Sequence, residues 1–268
     1  MSRVPRRIRL ALAMIGALTA SLSSWALSPA PAAAAPSTVV TIGFDDGTGD
    51  QLGALPILQA HGMTATFFVN TASIGDPEHL SWANLHSLFG AGNEIAGHTL
   101  HHVNLAPLST VDARQEVCTD RNNLLAEGFP ATSFAYPFGS FDSGTEQVVR
   151  DCGYNSGRGV AGVSKTGPFA ETIPPLDPYA TRTPPNPKKS TKLSTLELYV
   201  QNAEANGGGW VQFVFHRLCE QQCGAYAITP AKLTAFLDFL QGEVAGGRVT
   251  VQTTAQVIGG PVQPPVPA

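Results

Sequence analysis

Short runs rich in β-branched and aromatic residues alternate with longer amphipathic segments along most of this 268-residue chain. The runs predict strands at 38–44, 64–69, 94–97, 133–136, 210–216 and 249–253. The segments between them predict helices at 50–61, 80–91, 111–127, 144–152, 195–206 and 230–244. This order implies parallel strands joined by crossover helices. We therefore predict an α/β fold, either a barrel related to the (β/α)₈ form or an open doubly wound sheet.

Two segments interrupt the alternation. Residues 162–189 contain seven prolines, a density that is incompatible with a long helix or a central strand. We predict that this segment is a long loop over the C-terminal face of the barrel. Residues 259–268 are Pro-rich and apolar, and they predict a flexible tail after a domain that covers 36–258.

The N-terminus has the order of a secretory signal peptide. Four arginines at positions 3 to 9 precede an apolar stretch at 10–27 and an alanine tract at 32–35. Hydroxyl side chains such as Thr19 and Ser21 interrupt the apolar stretch, which disfavours a retained membrane helix. We predict that residues 1–35 are a signal peptide cleaved near Ala35, and that the protein is secreted or held at the cell surface.

Charge composition limits the partners of the chain. The formal net charge is −4 and only 13% of the residues are charged. Such a chain has no basic field for nucleic acid. Without the signal peptide it has no polybasic patch for a membrane either, so a neutral, hydroxyl-rich partner fits best.

The four cysteines are Cys118, Cys152, Cys219 and Cys223. Export makes disulfides the expected state, and four cysteines allow three pairings. We favour Cys118 with Cys152 and Cys219 with Cys223, because the second pair would close a short loop. A zinc site is the weaker alternative, since the spacing lacks paired CxxC elements.

Two acidic residues follow the first predicted strand, in the sequence Gly43-Phe44-Asp45-Asp46-Gly47. Where the backbone turns at the strand end, both carboxylates can face one cleft. One of them could then hold a metal while the other accepts protons. The alternative is a turn that caps the following helix.

Three histidines follow the third predicted strand, in the sequence His98-Thr99-Leu100-His101-His102. His98 and His102 are four residues apart, so one helical turn would place both imidazoles on one side. Two imidazoles and a carboxylate form a ligand set typical of zinc or a similar divalent ion. A histidine cluster on the surface is the alternative.

Two further motifs end predicted strands. The stiff turn at 136–139, Tyr-Pro-Phe-Gly, would expose backbone N–H groups and could form an oxyanion hole. The run Val214-Phe215-His216 ends in a histidine, and a histidine at the C-terminal end of a barrel strand indicates catalysis. An ordinary turn and a core histidine are the respective alternatives.

These four motifs, in this order, resemble the polysaccharide deacetylases of carbohydrate esterase family 4, the chitooligosaccharide-deacetylase homology domain. The resemblance covers about 39–253 and is most specific in Phe-Asp-Asp-Gly and His-Thr-x-x-His. It implies a distorted (β/α) barrel of about seven strands. It also implies that Asp46, His98 and His102 bind a divalent metal, zinc first, with cobalt or nickel as alternatives.

The resemblance further assigns catalytic roles. Asp45 would be the base, His216 the acid, and the backbone N–H of Phe138 a donor to the oxyanion. Two departures from the family pattern stand out. Ala135 replaces an arginine that braces the base, and Arg182 is the candidate substitute. The family's fourth motif is missing, and Asp177 is the nearest candidate to orient His216.

The sequence thus predicts a secreted, metal-dependent hydrolase that removes acetyl groups from an N- or O-acetylated polysaccharide or oligosaccharide. Two other functions remain open. One is an inactive deacetylase fold that binds glycans, and the other is a metal-dependent amidohydrolase of a small molecule. The sequence does not select among acetylated glycans or among the three metals.

Overall fold

The computed structural model describes residues 1–2, 38–221 and 223–268. The predicted signal peptide at 1–35 lies outside this part of the chain, apart from its first two residues. Among the described residues, no helix combines the length and the apolar character that a membrane crossing requires.

Eight strands form one sheet in which every ladder is parallel. They are β1 (Thr38–Phe44), β2 (Thr66–Val69), β3 (Glu94–Gly97), β4 (Ser133–Ala135), β5 (Ser156–Gly162), β6 (Thr181–Thr183), β7 (Gly209–Phe215) and β10 (Val249–Val251). Two short strands, β8 (Arg217–Leu218) and β9 (Ala227–Ile228), pair separately.

The sheet curls around β1. Strand β7 pairs with β1 over its whole length, whereas the opposite edge of β1 is shared by β10 and β2. The order then continues through β3, β4, β5 and β6. In the described part of the chain no ladder joins β6 to β7, and a hydrogen bond from Gln212 Nε2 to the Arg182 carbonyl spans the gap at 3.1 Å. Strands β1 to β7 therefore form the predicted distorted (β/α) barrel, incompletely closed, and not an open doubly wound sheet.

Helices follow most strands, as the alternation predicts. They are α1 (Ala54–Ala60, after a 3₁₀ turn at Gly49–Gly53), α2 (Trp82–Gly90), α3 (Thr110–Ala126), α4 (Ser143–Asp151), α5 (Leu193–Ala205), α6 (Pro230–Ala245) and α7 (Thr254–Ile258). Their starts have sequence causes. Ser81 and Asp142 form capping boxes with residues three positions later, and Thr229 caps α6 directly before Pro230.

Apolar side chains from the strands pack against the helices that surround the barrel. Phe44 on β1 stacks on Phe67 of β2 with ring centroids 5.1 Å apart, and Phe215 of β7 packs on its other side at 5.7 Å. All three rings are buried. Burying one such side chain contributes about 1.5–3 kcal/mol. The core thus fixes the strand ends that carry the polar motifs.

Both favoured disulfides are present. Cys118 in α3 is bonded to Cys152 at the end of α4, and Cys219 is bonded to Cys223 after β8. Disulfides of this kind are typical of proteins that fold in an oxidising compartment.

The structure corrects the prediction for the two Pro-rich segments. The segment 162–189 is not entirely loop, because it contains β6. The tail at 259–268, predicted to be flexible, is held against α3 and the end of α4. Arg121 donates hydrogen bonds to the carbonyls of Gln263 and Pro264, and Asn122 exchanges two hydrogen bonds with Val266. Prolines lack N–H groups, so a Pro-rich tail is held mainly through its carbonyls, and here the α3 side chains Arg121 and Asn122 donate to them.

Candidate active site

The four polar motifs meet in one cleft at the carboxyl ends of the strands. The cleft has a volume of about 360 Å³ and is lined by Asp45, Asp46, His98, His102, Tyr136, Phe138, Val160, Asn186, His216 and Tyr226. In parallel barrels this face carries the site, because the strand-to-helix loops converge there. The structure therefore brings together six of the eight site residues predicted from the sequence, and excludes Arg182 and Asp177 from the lining.

Asp46, His98 and His102 form a compact ligand cluster. Their ligand atoms all lie within 4.8 Å of one another. The Nε2 atoms of His98 and His102 lie 3.5 and 3.2 Å from Asp46 Oδ1. This carboxylate oxygen is buried and has no well-formed hydrogen bond. A divalent cation such as zinc fits this set of two imidazoles and one carboxylate.

The charges of the cluster are coupled. Burial raises the pKa of Asp46, but the neighbouring His102 and His98 outweigh this effect and hold the pKa well below its usual range. Asp46 in turn raises the pKa of His102, against the opposing effect of burial. The cluster thus places an ionised carboxylate beside the His102 imidazole, whose proton a divalent cation would displace.

His98 is oriented by two hydrogen bonds. Its Nδ1–H donates to the Ala135 carbonyl at 2.7 Å, which leaves Nε2 free to face Asp46. Its backbone N–H donates to Asp120 Oδ2 at 3.1 Å, while Asp120 Oδ1 accepts from the Thr71 N–H at 2.9 Å. Asp120 therefore ties the ends of β2 and β3 together beneath the cluster. Its burial raises the pKa of this carboxyl to about 8.

Backbone strain is concentrated in the motifs. Six non-glycine residues have a positive φ among those described, and four of them belong to the site. These four are Asp46 at 76°, Thr99 at 69°, His102 at 55° and Phe138 at 61°. Each such conformation costs on the order of 1–3 kcal/mol and persists where the surrounding structure enforces it. The turn at Asp46 is what lets both adjacent carboxylates face the cleft.

Asp45 is held by an arginine that the sequence analysis did not identify. Arg158 Nη2 donates to Asp45 Oδ1 at 2.6 Å, and both side chains are nearly fully buried. Arg182, the predicted substitute for the missing arginine, instead forms two hydrogen bonds of 2.8 Å with Glu171. The prediction for Arg182 is therefore wrong, and Arg158 occupies that role at Asp45.

A buried glutamine links Asp45 to His216. Gln51 Nε2 donates both to the Asp45 carbonyl and to the His216 carbonyl, the latter at 2.7 Å. The Asp45 N–H also donates to the Phe215 carbonyl at 2.9 Å. These hydrogen bonds fix the end of β1 against the end of β7, so the positions of Asp45 and His216 relative to each other are fixed as well.

His216 faces the cleft without a carboxylate partner. Its ring lies 5.4 Å from the Tyr226 ring, and its buried Nδ1 has no hydrogen-bond partner among the described residues. Asp177, predicted to orient it, is exposed and accepts the N–H of Tyr179 at 2.8 Å. The prediction for Asp177 is thus also wrong, since its carboxylate caps a local turn.

Phe138 lies on the rim of the cleft. It belongs to a 3₁₀ turn, Pro137–Gly139, and its side chain is 68% exposed. Its ring packs edge-on against His102 at a centroid distance of 4.8 Å. The backbone of this turn therefore lies next to the metal-ligand cluster.

Comparisons with known proteins agree with this arrangement. Residues 32–157 match the family described as Polysaccharide deacetylase. The chain is 33% identical over 121 residues to YxkH of Bacillus subtilis (strain 168), a protein whose name assigns it to the polysaccharide deacetylases. That match covers 44% of this chain and 43% of the relative, so the chain spans less than half of the curated relative.

Two solved structures share the fold. One is a family 4 carbohydrate esterase from Streptomyces lividans in complex with acetate, with a TM-score of 0.54 and 17% identity over 81% of this chain and 93% of that one. The other is BA3943 from Bacillus anthracis, described as a pseudoenzyme of the same family. It has a TM-score of 0.53 and 15% identity over 83% and 66% of the two chains. Together with the four motifs in one cleft, the family match places residues 32–157 in the polysaccharide deacetylase family, and the two solved structures show that the chain has the fold of carbohydrate esterase family 4.

Proposed function

We propose that this chain is a secreted, metal-dependent hydrolase that removes acetyl groups from an N- or O-acetylated polysaccharide. One observation carries the proposal. The Asp46, His98 and His102 cluster lies in the same cleft as Asp45, whose carboxylate is held by the buried Arg158. A metal site beside a separately braced carboxylate is the arrangement that hydrolysis by an activated water requires.

Asp46, His98 and His102 would hold the metal, with zinc the first choice and cobalt or nickel as alternatives. A divalent ion bound there would polarise a carbonyl and lower the pKa of a water molecule towards about 7. The bond from His98 Nδ1 to the Ala135 carbonyl fixes the ring in the tautomer that can ligate through Nε2.

The remaining steps belong to the protein's own side chains. Asp45, oriented by Arg158, accepts the proton of the attacking water. The N–H of Phe138 donates to the oxyanion that develops on the acetyl carbonyl, and losing one such donor typically costs about 10²–10³ in rate. His216 protonates the departing nitrogen or oxygen, which is necessary because an amine anion is a very poor leaving group.

Aromatic rings on the rim favour a glycan substrate. Phe138 is 68% exposed and Tyr226 is 46% exposed, and both line the cleft. Aromatic faces offer apolar contact area to the C–H faces of sugar rings while the polar groups below orient the acetyl group. Membership of the polysaccharide deacetylase family supports the same substrate class.

Secretion is the part of the proposal that rests on the N-terminus and the cysteines. The order of arginines, apolar stretch and alanine tract at 1–35 has the features of a cleaved signal. Two disulfides fit an oxidising compartment. Determining the N-terminal residue of the exported protein tests this point, with a start near position 36 expected.

The function is tested by acetate release from a panel of acetylated glycans, with and without a chelator and with zinc added back. The expected result is release that the chelator stops and zinc restores. Retained glycan binding without any release would indicate a binding module instead. Turnover of small acetylated amides alone would indicate the amidohydrolase.

A further inference from the structure

A second pocket adjoins the cleft. Its volume is about 240 Å³, and Asn186 lines both cavities. The floor of this side pocket is apolar and includes Leu196, Tyr199 and Phe213, whereas Lys165 and Lys188 stand at its rim. No aspartate or glutamate lines it among the described residues. The side pocket therefore offers positive charge over an apolar surface next to the cleft.

Lysine is unevenly distributed in this protein. The chain has five lysines, at positions 165, 188, 189, 192 and 232, so none lies in its first 164 residues. Lys189 and Lys232 use their ammonium groups to bind backbone carbonyls. The ammonium groups of these two lysines are thus engaged with the backbone and are less available to a ligand.

The two rim lysines are different. Within the described residues, neither Lys165 nor Lys188 forms an ion pair or donates a side-chain hydrogen bond. Instead, Lys165 Nζ lies 5.9 Å from the Tyr199 ring and Lys188 Nζ lies 5.6 Å from the Tyr226 ring. Because Tyr226 also lines the cleft, Lys188 stands at the junction of the two cavities. Aromatic contacts hold both ammonium groups near the pocket without neutralising their charge.

Asn186 adds a polar group at the same junction. Its side-chain oxygen is buried and has no hydrogen-bond partner among the described residues. A buried acceptor left unpaired costs about 1–3 kcal/mol, so a hydroxyl donor from a bound sugar would relieve this cost. A sugar lying across the junction would meet Asn186 through a hydroxyl and the two lysines through an anionic substituent.

We propose that the side pocket binds a carboxylate on the sugar next to the acetylated one, so that the preferred substrate is an acidic acetylated glycan. This inference rests on the proposed deacetylase function. The net charge of the whole chain is −4, so its overall field does not attract anions. Recognition therefore depends on the local pair of lysines, and it suits one carboxylate in a largely neutral glycan.

The test compares each acidic glycan with its own carboxyl methyl ester, which differs only in charge and one methyl group. One arm uses an acetylated oligosaccharide whose carboxylate belongs to a uronic acid, and the other uses one whose carboxylate belongs to a lactyl ether on an amino sugar. The arm with the larger difference identifies the source of the carboxylate. At low ionic strength the acid should have a KM about 3- to 10-fold below that of the ester, with the same kcat, as two partly exposed ion pairs allow. In about 0.5 M salt the difference should shrink.

Variants locate the effect. Lys165→Gln and Lys188→Gln together should remove the difference between acid and ester and leave kcat on a neutral glycan unchanged. Lys192→Gln is the matched control, because Lys192 is exposed, immediately precedes α5 and does not line the pocket. Equal KM values for acid and ester in the wild type would overturn the proposal. The proposal would also be overturned if Lys192→Gln reduced the KM difference between acid and ester as much as the double variant does. The preference for the acid would then come from the general positive charge of the region and not from the side pocket.

Binding separates this inference from the proposed function. Calorimetry with chelator-treated protein measures the affinities of the acid and the ester without turnover. Tighter binding of the acid, lost in the Lys165 and Lys188 double variant, supports the side pocket even if no acetate is ever released. Equal affinities overturn the side pocket even if the deacetylase is active.

Discussion

Arg158 on β5 is the register partner of Ala135 on β4, so the arginine that holds Asp45 lies one strand away from where the family pattern places it. Both side chains point into the barrel. Ala135 packs with Phe68 and Ala96, and the Arg158 guanidinium lies 4.8 Å from the Phe68 ring centroid. The small side chain on β4 leaves space through which the longer one on β5 reaches Asp45. The cation that faces Asp45 therefore comes from β5 and not from β4.

This relationship predicts a loss and a partial rescue. Arg158→Ala leaves Asp45 buried without its cation, and breaking a buried pair in this way destabilises a protein by about 3–5 kcal/mol. Its kcat should fall at least tenfold. Adding Ala135→Arg should restore part of both losses, as measured by acetate release and thermal unfolding. Arg182→Gln is the control and should keep kcat. A double variant no better than Arg158→Ala would contradict the exchange of positions.

Gln51 should matter for activity more than for metal binding. Gln51→Leu keeps much of the volume but removes the donor that joins the Asp45 and His216 carbonyls. We expect a stability loss of about 1–3 kcal/mol from the two unsatisfied acceptors. Asp45 and His216, the proposed base and acid, would lose the hydrogen bonds that hold them in position. The value of kcat should therefore fall, while zinc affinity stays near the wild-type value. Gln115→Leu, on the exposed face of α3, should change neither quantity. A Gln51→Leu variant with the wild-type kcat would contradict a role of Gln51 in positioning Asp45 and His216.

Asp120 is expected to support the metal ligands from beneath. Asp120→Ala would leave the N–H groups of Thr71 and His98 without this carboxylate, at a cost of about 2–5 kcal/mol in stability. Zinc affinity should fall as well, because the end of β3 that carries His98 loses its anchor. Titration with a competing chelator measures this affinity. Asp112→Ala, which removes only an exposed partner of Ser109 at the start of α3, should leave zinc binding unchanged.

Glu94 predicts a pH dependence of stability. Burial raises the pKa of this carboxyl above its ordinary value of 4.5, although hydrogen bonds from Thr66 and Ala255 oppose the shift. A carboxyl whose pKa is raised in the folded state favours folding at low pH. This contribution is lost as the pH rises through the folded-state pKa. Relative to Glu94→Gln, the wild type should therefore lose stability as the pH rises above 4.5. Denaturant titrations at several pH values test this, and a constant difference between the two proteins would contradict it.

The sequence predicted most elements because local signals were strong. The run at 38–44 has no charged residue and is rich in β-branched residues, as expected for a strand buried on both faces, and it forms β1 without change of bounds. The helices predicted at 80–91 and 144–152 begin within two residues of the observed starts, where Ser81 and Asp142 cap them. The prediction that His216 ends a strand was one residue off, and it lies just beyond β7.

Strand β5 was missed because its sequence has weak strand propensity. It reads Ser-Gly-Arg-Gly-Val-Ala-Gly, and glycine is depleted in strands. The available signal was Arg158 itself, a charged residue between two glycines with no neighbouring charge. Its partner Asp45 is 113 positions away in sequence, so only the fold brings them together. Gln51 was missed for the same reason, since its second acceptor belongs to His216 on the opposite side of β1.

The errors at Arg182 and Asp177 also have a physical cause. Both were chosen as the nearest charged residues in a loop predicted to cover the cleft. The segment instead packs along the barrel wall, where Glu171 forms an antiparallel β-bridge with Trp210 of β7. The Glu171 carboxylate accepts a hydrogen bond from Arg182. Glu171 and Arg182 are 11 positions apart, so the entropy lost in bringing them together is smaller than for a partner far away in sequence.

The central claim is that Asp45 and the metal ligands have separate tasks, and one paired measurement tests it. Zinc content and acetate release are determined together for the wild type, Asp45→Asn and Asp46→Asn. We predict that Asp45→Asn retains one equivalent of zinc and releases no acetate, while Asp46→Asn loses zinc and activity together. Acetate release near the wild-type rate from Asp45→Asn would contradict the account.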